Sequence, residues 1–149
     1  MIGHIVLRSL HRLRLAEAGI AAIEFALVAP MLLMLVFGII IYGFYFATGI
    51  AVAHAAAEGA RASVAGMTAA EHQGLAEDQA RAIFADYAPL LDDDAAHLQI
   101  SAGPSATAGM FAVTVSYDLS DRNFTSFAGL LPLPSSRPAV MVTVANGGY

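Results

Sequence analysis

The sequence predicts an α+β fold with a long N-terminal transmembrane helix, a second short helix and a small three-stranded antiparallel sheet. Residues 25–53 contain no Asp, Glu, Lys, Arg or His, whereas about 20 apolar residues suffice to cross the hydrocarbon of a bilayer. Apolar residues then recur at helical spacing before residue 89 and at alternate positions after residue 97. The first pattern is typical of an amphipathic helix and the second of half-buried strands.

The charge-free run is too long to be the core helix of so small a protein. It covers 29 of 149 residues in a chain that is 58% hydrophobic and 13% charged, and no domain of this size can surround such a helix. We therefore expect a membrane-spanning helix that contains Pro30, which removes one backbone hydrogen bond. The following Ala-rich residues favour helix as far as residue 66.

The distribution of charge predicts the orientation of this helix. Residues 1–19 carry a net charge of +2, and residues 20–149 carry −7. The positive-inside rule therefore keeps the leader in the cytoplasm and exports the remainder. The acidic exported part has no basic surface for nucleic acid, and the absence of cysteine excludes disulfides and thiolate metal sites.

The exported part begins with a second predicted helix. Thr68 and Glu71 have the spacing of a capping box, and Pro89 is expected to end the helix. The face expected to pack on the rest of the domain consists of Ala76, Ala80, Ile83 and Tyr87. The residue spacing therefore predicts an amphipathic helix that packs on the domain rather than on a membrane.

Three segments with a period of two follow, at residues 98–101, 111–119 and 140–145. Gly103-Pro104 and Gly109 bracket the first turn, which favours an antiparallel hairpin. The connection up to residue 138 is long and holds an apolar patch. Such a connection either contacts a partner or covers the sheet.

One carboxylate interrupts the apolar start of the first helix. A charge at Glu24 costs a few kcal/mol inside a membrane, so it needs a partner, a proton or a position near the membrane edge. A cut after Gly19 gives Ile20 a new α-amino group, and helical residues four apart share one face. Cleavage would also remove the basic leader and ease transfer of the helix into a protein assembly.

Polar residues form a narrow stripe near the end of this helix. His54, Glu58 and Arg61 begin at i, i+4, i+7 spacing, and the last two form an i, i+3 pair worth a few tenths of a kcal/mol when exposed. His54 and Glu58 are too few to hold a metal, since no third ligand is recognisable. We expect a hydrogen bond to a helical neighbour or a solvated face instead. We therefore predict no metal or cofactor site.

The segment around Gly19 resembles the class III signal of type IV pilin-like proteins, in which a prepilin peptidase cuts after Gly and Glu is the fifth mature residue. More narrowly, AAIEFALVAPMLLMLVFGIIIYG and AAAEGARAS resemble the TadE-like pseudopilins of tight-adherence (Tad, or Flp) pilus systems. Phe25 stands where major Flp pilins usually have Tyr, and the chain is longer than those subunits. The resemblance therefore implies a minor pseudopilin rather than the main filament subunit.

The resemblance assigns roles to residues and segments. It implies cleavage between Gly19 and Ile20, and a processing and assembly motif at Glu24 and Phe25. The candidates for helix packing or the polar stripe are Pro30, Glu58 and Arg61. The implied domains in this pilin-like layout are a cleaved cytoplasmic leader (1–19), a transmembrane and assembly helix extending into the periplasm (20–66) and a periplasmic α+β domain (67–149).

The implied function is to help initiate or assemble a Tad/Flp adhesion pilus from the bacterial inner membrane, with or without later extraction into the pilus. The implied partners are the prepilin peptidase, other pilins and pseudopilins, the inner-membrane assembly platform and membrane lipid. An alternative is an unprocessed, membrane-anchored periplasmic binding or sensor module. An anchored hydrolase is the weakest hypothesis, because the exported part has no nucleophile motif such as G-x-S-x-G.

Overall fold

A computed structural model gives two helices followed by a three-stranded sheet in the described part of the protein. The structure describes residues 3–88, 90–92, 94, 96–120 and 135–145, with side chains from residue 19 onward. The elements in chain order are α1 (Gly3–Ser63), α2 (Ala69–Ala85), β1 (Leu98–Pro104), β2 (Met110–Tyr117) and β3 (Ala139–Ala145). This order confirms the predicted α+β fold.

Helix α1 belongs to two compact units, Met1–Ile40 and Ile41–Tyr149. In the first unit, every large apolar side chain from Ile20 to Ile40 is exposed. Within the described part of the chain, one helical stretch, Gly19–Ser63, is long and apolar enough to cross a membrane. Its length and composition are consistent with membrane anchoring, because exposed apolar surface of this extent needs lipid or protein around it.

The second unit buries one face of the sheet. Strand β2 is central and pairs antiparallel with β1 and β3. Alternate β2 side chains are buried because successive side chains of a strand point to opposite faces; they are Phe111, Val113, Val115 and Tyr117. The core cluster also includes Ala51, Val52, Ala55, Ala56 and Ala60 of α1 and Ala76, Ala80 and Phe84 of α2. The alternation predicted for this strand is confirmed.

The predicted capping box at the start of α2 is present. The Thr68 hydroxyl accepts from the backbone N–H of Glu71 at 3.2 Å, and the Glu71 carboxylate accepts from the Thr68 N–H at 3.2 Å. Ala76 and Ala80 are buried as predicted. Phe84, which was not predicted, is also fully buried and stacks on Tyr117 with ring centroids 5.4 Å apart. Ile83 and Tyr87 are partly buried and pack against the core, so the predicted face of α2 is confirmed and also includes Phe84.

One predicted boundary is wrong and another is confirmed. Helix α1 ends at Ser63 rather than at residue 66, and the ring of His72 hydrogen-bonds the Ser63 carbonyl there. Gly103 and Pro104 are the last two residues of β1 and, with Gly109, bracket the turn of the predicted antiparallel hairpin. An edge strand tolerates Pro104 because its outer N–H groups need no partner within the sheet. The predicted helix stop at Pro89 and the apolar patch within residues 121–134 lie outside the described residues.

Candidate processing and assembly site

The predicted processing residues lie together on the exposed surface of α1. Gly19, Ile20, Glu24 and Phe25 are all helical and exposed, with Ile20 at 66% and Phe25 at 70%. Ile20 and Glu24 are four residues apart, so they occupy neighbouring positions on one helix face. Pro30 is also exposed within the same helix. The structure thus places the Gly19–Ile20 peptide bond and the Glu24 carboxylate about one helical turn apart.

The carboxylate of Glu24 is not neutralised by any described side chain. The ion pairs among the described side chains join Arg61 to Glu58 and Arg137 to Asp118. Glu24 belongs to neither pair, although it lies in the candidate membrane-crossing stretch. Since an uncompensated carboxylate there costs a few kcal/mol, a cation from outside the described side chains, such as a newly formed α-amino group, would stabilise it.

Gly19 is not required by packing among the described residues. A Cβ atom built at this position meets nothing within 4 Å. Its backbone is helical, and glycine is about 1 kcal/mol less favourable than alanine in a helix interior. The fold therefore gives no reason for glycine at this position.

Gly59, by contrast, is required by a close approach of α1 to α2. A Cβ atom there would lie 2.8 Å from the Ala76 carbonyl oxygen and 3.0 Å from the Ala80 Cβ. The first distance is shorter than real Cβ contacts, and the obstacle is backbone. Sequence reasoning missed this role, although the small residues around Gly59 were an available signal of close helix packing.

The predicted pair between Glu58 and Arg61 is formed. The Arg61 Nε and Nη2 atoms donate to Glu58 Oε2 at 2.8 and 2.6 Å. The Arg61 side chain is 79% exposed, so solvent screens the pair and its contribution to stability is at most about 1 kcal/mol. The pair therefore places two charges on the surface of α1 without fixing the fold.

The contact of His54 differs from the predicted one. The structure places its Nδ1 atom 3.1 Å from the hydroxyl oxygen of Tyr87, 33 residues away. The predicted partner was a helical neighbour or solvent. No group of three or more metal-ligating side chains occurs among the residues that the structure describes.

A second polar cluster links the two chain segments that precede and follow residues 121–134. The Asp118 carboxylate accepts from the Ser120 N–H at 2.9 Å, from the Ser120 hydroxyl at 2.6 Å and from Arg137. These bonds, that of Arg137 first, hold the pKa of Asp118 well below its usual value of 3.8. Sequence reasoning missed this pair because 19 residues separate its members.

The comparison with protein families decides the character of the N-terminal segment. A family model described as TadE-like protein matches residues 19–61. Residues 19–61 are TadE-like. The TadE-like segment begins at Gly19, ends at Arg61, and includes Glu24, Pro30 and Gly59, so the resemblance predicted from the sequence is confirmed over these residues. No curated protein and no solved structure matches the chain significantly.

Proposed function

We propose that this chain is a minor pseudopilin that a prepilin peptidase cuts between Gly19 and Ile20, and that the processed chain helps initiate or assemble a Tad/Flp adhesion pilus. The TadE-like match supports a protein associated with Tad pilus systems. The observation that carries the finer proposal is the exposed carboxylate of Glu24, which pairs with no described side chain and lies one helical turn after that peptide bond. Cleavage supplies the cation that the described residues do not.

The glycine at position 19 supports the proposed cut. Its side-chain position is open, so packing does not require glycine there, and recognition of the segment by another protein would account for it. Exposure of Ile20 and Phe25 makes the same segment available for recognition. Gly59 differs in this respect, because a Cβ atom there would collide with α2.

Location, partners and chemistry follow from this proposal. The chain is a single-pass protein of the bacterial inner membrane, with a cytoplasmic N-terminus and a periplasmic domain. Its partners are the peptidase, other pilins and pseudopilins and the assembly platform. It acts by packing rather than by catalysis, because the sequence holds no nucleophile motif. The second candidate, an unprocessed anchored binding or sensor module, is favoured by a compact second unit that needs no cleavage to fold.

N-terminal sequencing of the full-length chain, purified from cells with and without the peptidase, tests the proposal. The mature chain should begin at Ile20 when the peptidase is present and at Met1 when it is absent. Gly19→Val should block the cut, because the added side chain reaches only open space in the fold and can act only on recognition. Gly43→Val is the matched control, since that position is also open within α1, and it should be cut normally.

Two outcomes contradict the proposal. An intact Met1 in cells that contain the peptidase would favour the anchored sensor module. Equal processing of Gly19→Val and Gly43→Val would remove Gly19 from the recognised motif.

A further inference from the structure

The peptide bond proposed to be cut lies in the interior of a helix. Helix α1 is continuous on both sides of the bond between Gly19 and Ile20. In the helical pattern, the Ile20 N–H donates to the Ala16 carbonyl, and the Gly19 carbonyl accepts from the Ile23 N–H. Hydrogen bonds therefore hold the amide from both sides, and such a bond becomes open to a protease when the helix opens locally.

The position of Gly19 along α1 favours opening there. Backbone groups that lose their helical partners need water, because unsatisfied groups are costly in hydrocarbon. Glu17 and Glu24 flank the bond, and the charge-free run begins at residue 25. Gly43 lies inside that run and has an equally open side-chain position. In an anchored chain, opening is therefore less costly at Gly19 than at Gly43.

We propose that Gly19 sets how often α1 opens around this bond, and that the peptidase recognises the opened form. A Cβ atom at Gly19 meets nothing within 4 Å, so alanine there would leave the surrounding contacts unchanged. Glycine disfavours a helix interior more than any residue except proline, because helix formation removes most of its backbone freedom. The inference rests on the proposed function and gives Gly19 a role through its backbone.

The rate of cutting should follow the population of the opened form. Short helical segments open and re-form within about 1 μs, whereas enzymes typically turn over about 1 to 1,000 times per second, so opening is at equilibrium during cutting. Gly19→Ala should slow the cut about five-fold, which is the difference in helix propensity expressed as a population. Ala21→Gly and Ala22→Gly, at exposed helical positions, should each speed it by a similar factor.

Moving the glycine along the helix tests the inference. Full-length chains in detergent are mixed with limiting amounts of a prepilin peptidase; the initial rate is measured by mass and the cut site by N-terminal sequencing. Gly19→Ala combined with Ala22→Gly should be cut near the rate of the unmodified chain, still between residues 19 and 20. Gly19→Ala combined with Ala57→Gly is the matched control, because Ala57 is exposed on α1 far from the bond, and it should stay slow.

Amide hydrogen exchange of the uncut chains measures the opening without the peptidase. Exchange at Ile20 and Ile23 should slow in Gly19→Ala and recover when Ala22→Gly is added. Recovered exchange with a cut as slow as that of Gly19→Ala would overturn the inference, because the peptidase would then require glycine itself. Unchanged exchange in all variants would also overturn it. Failure to cut the unmodified chain overturns the proposed function as well, so the two failures are distinguishable.

Discussion

Glu24 lies among exposed apolar side chains of α1, and the described ion pairs do not include it. A helix that kept this carboxylate in hydrocarbon without a partner would lose a few kcal/mol. The new amine of a processed chain would be four residues away in its own helix, or in a neighbouring helix displaced along the axis. At the residue scale, the proposed cleavage would thus supply the cation that pairs with the Glu24 carboxylate.

Replacing Glu24 tests that pair. Glu24→Gln keeps the shape but removes the charge, so cleavage should continue while the number of pili falls strongly, because the new amine has lost its counter-charge. Glu24→Ala should behave in the same way. N-terminal sequencing reports the cleavage, and counting surface pili reports the assembly.

Glu77→Gln is the control for the loss of a carboxylate. Glu77 lies on α2 and accepts a hydrogen bond from Gln73, far along the chain from the proposed cut. Its replacement should leave pili unchanged. Normal pilus numbers in Glu24→Gln would show that the charge has no part in assembly.

At the element scale, the contact of α1 with α2 depends on the missing side chain of Gly59. Gly59→Ala should lower the free energy of unfolding by about 1–3 kcal/mol, because the new methyl group meets the Ala76 carbonyl oxygen and the helices must shift. The about 1 kcal/mol that alanine gains in helix propensity offsets part of this loss. Denaturant unfolding of the full-length chain in detergent measures the change.

The same substitution at Gly74 is a matched control. Gly74 is exposed within α2, and its side-chain position is open. Gly74→Ala should therefore raise the free energy of unfolding by about 0.4–1 kcal/mol. If both variants were stabilised equally, the close approach at Gly59 would be absent in solution.

The elements differ in how far the sequence alone predicts them. The capping box at Thr68 and the alternation along β2 are local patterns, so both were predicted correctly. Phe84 was missed because its burial depends on stacking with Tyr117, 33 positions later in the chain. The role of Gly59 was missed for a related reason, since only the position of α2 makes its Cβ impossible.

At the scale of the whole molecule, the candidate site is defined by residues close in sequence, whereas contacts within the second unit join residues far apart in sequence. Gly19, Ile20 and Glu24 form a linear motif, whose chemistry depends on spacing within one helix. The ion pair between Asp118 and Arg137 depends on the pairing of β2 with β3, and no local sequence pattern around either residue predicts it. Spacing along the chain therefore suffices to propose a processing segment, which stays a prediction, whereas long-range polar contacts cannot be predicted from such spacing.

The pair formed by Asp118 and Arg137 predicts a pH dependence of folding. The folded-state pKa of Asp118 lies below its usual value of 3.8, so the unfolded chain takes up a proton first as pH falls. The pair's contribution to stability is present above about pH 4 and is lost progressively below it. The difference in unfolding free energy between the unmodified chain and Asp118→Asn should therefore shrink as pH falls through this range.

Asp78→Asn provides the comparison for this titration. Asp78 is exposed on α2, so its replacement should change the unfolding free energy little at any pH. Denaturant unfolding of the three chains from neutral to acidic pH makes the measurement. A pH-independent difference for Asp118→Asn would contradict a stabilising role of the ionised carboxylate.

The close approach of α2 to Gly59 also sets the rotation of α1 about its axis. Ile50 precedes Gly59 by nine residues, and at about 100° per residue the two point about 180° apart. As long as Gly59 is seated against α2, Ile50 must point away from the domain. Rotating α1 to bury Ile50 would place a larger residue than glycine against α2. Gly59 therefore sets the direction in which the domain exposes its apolar side chains.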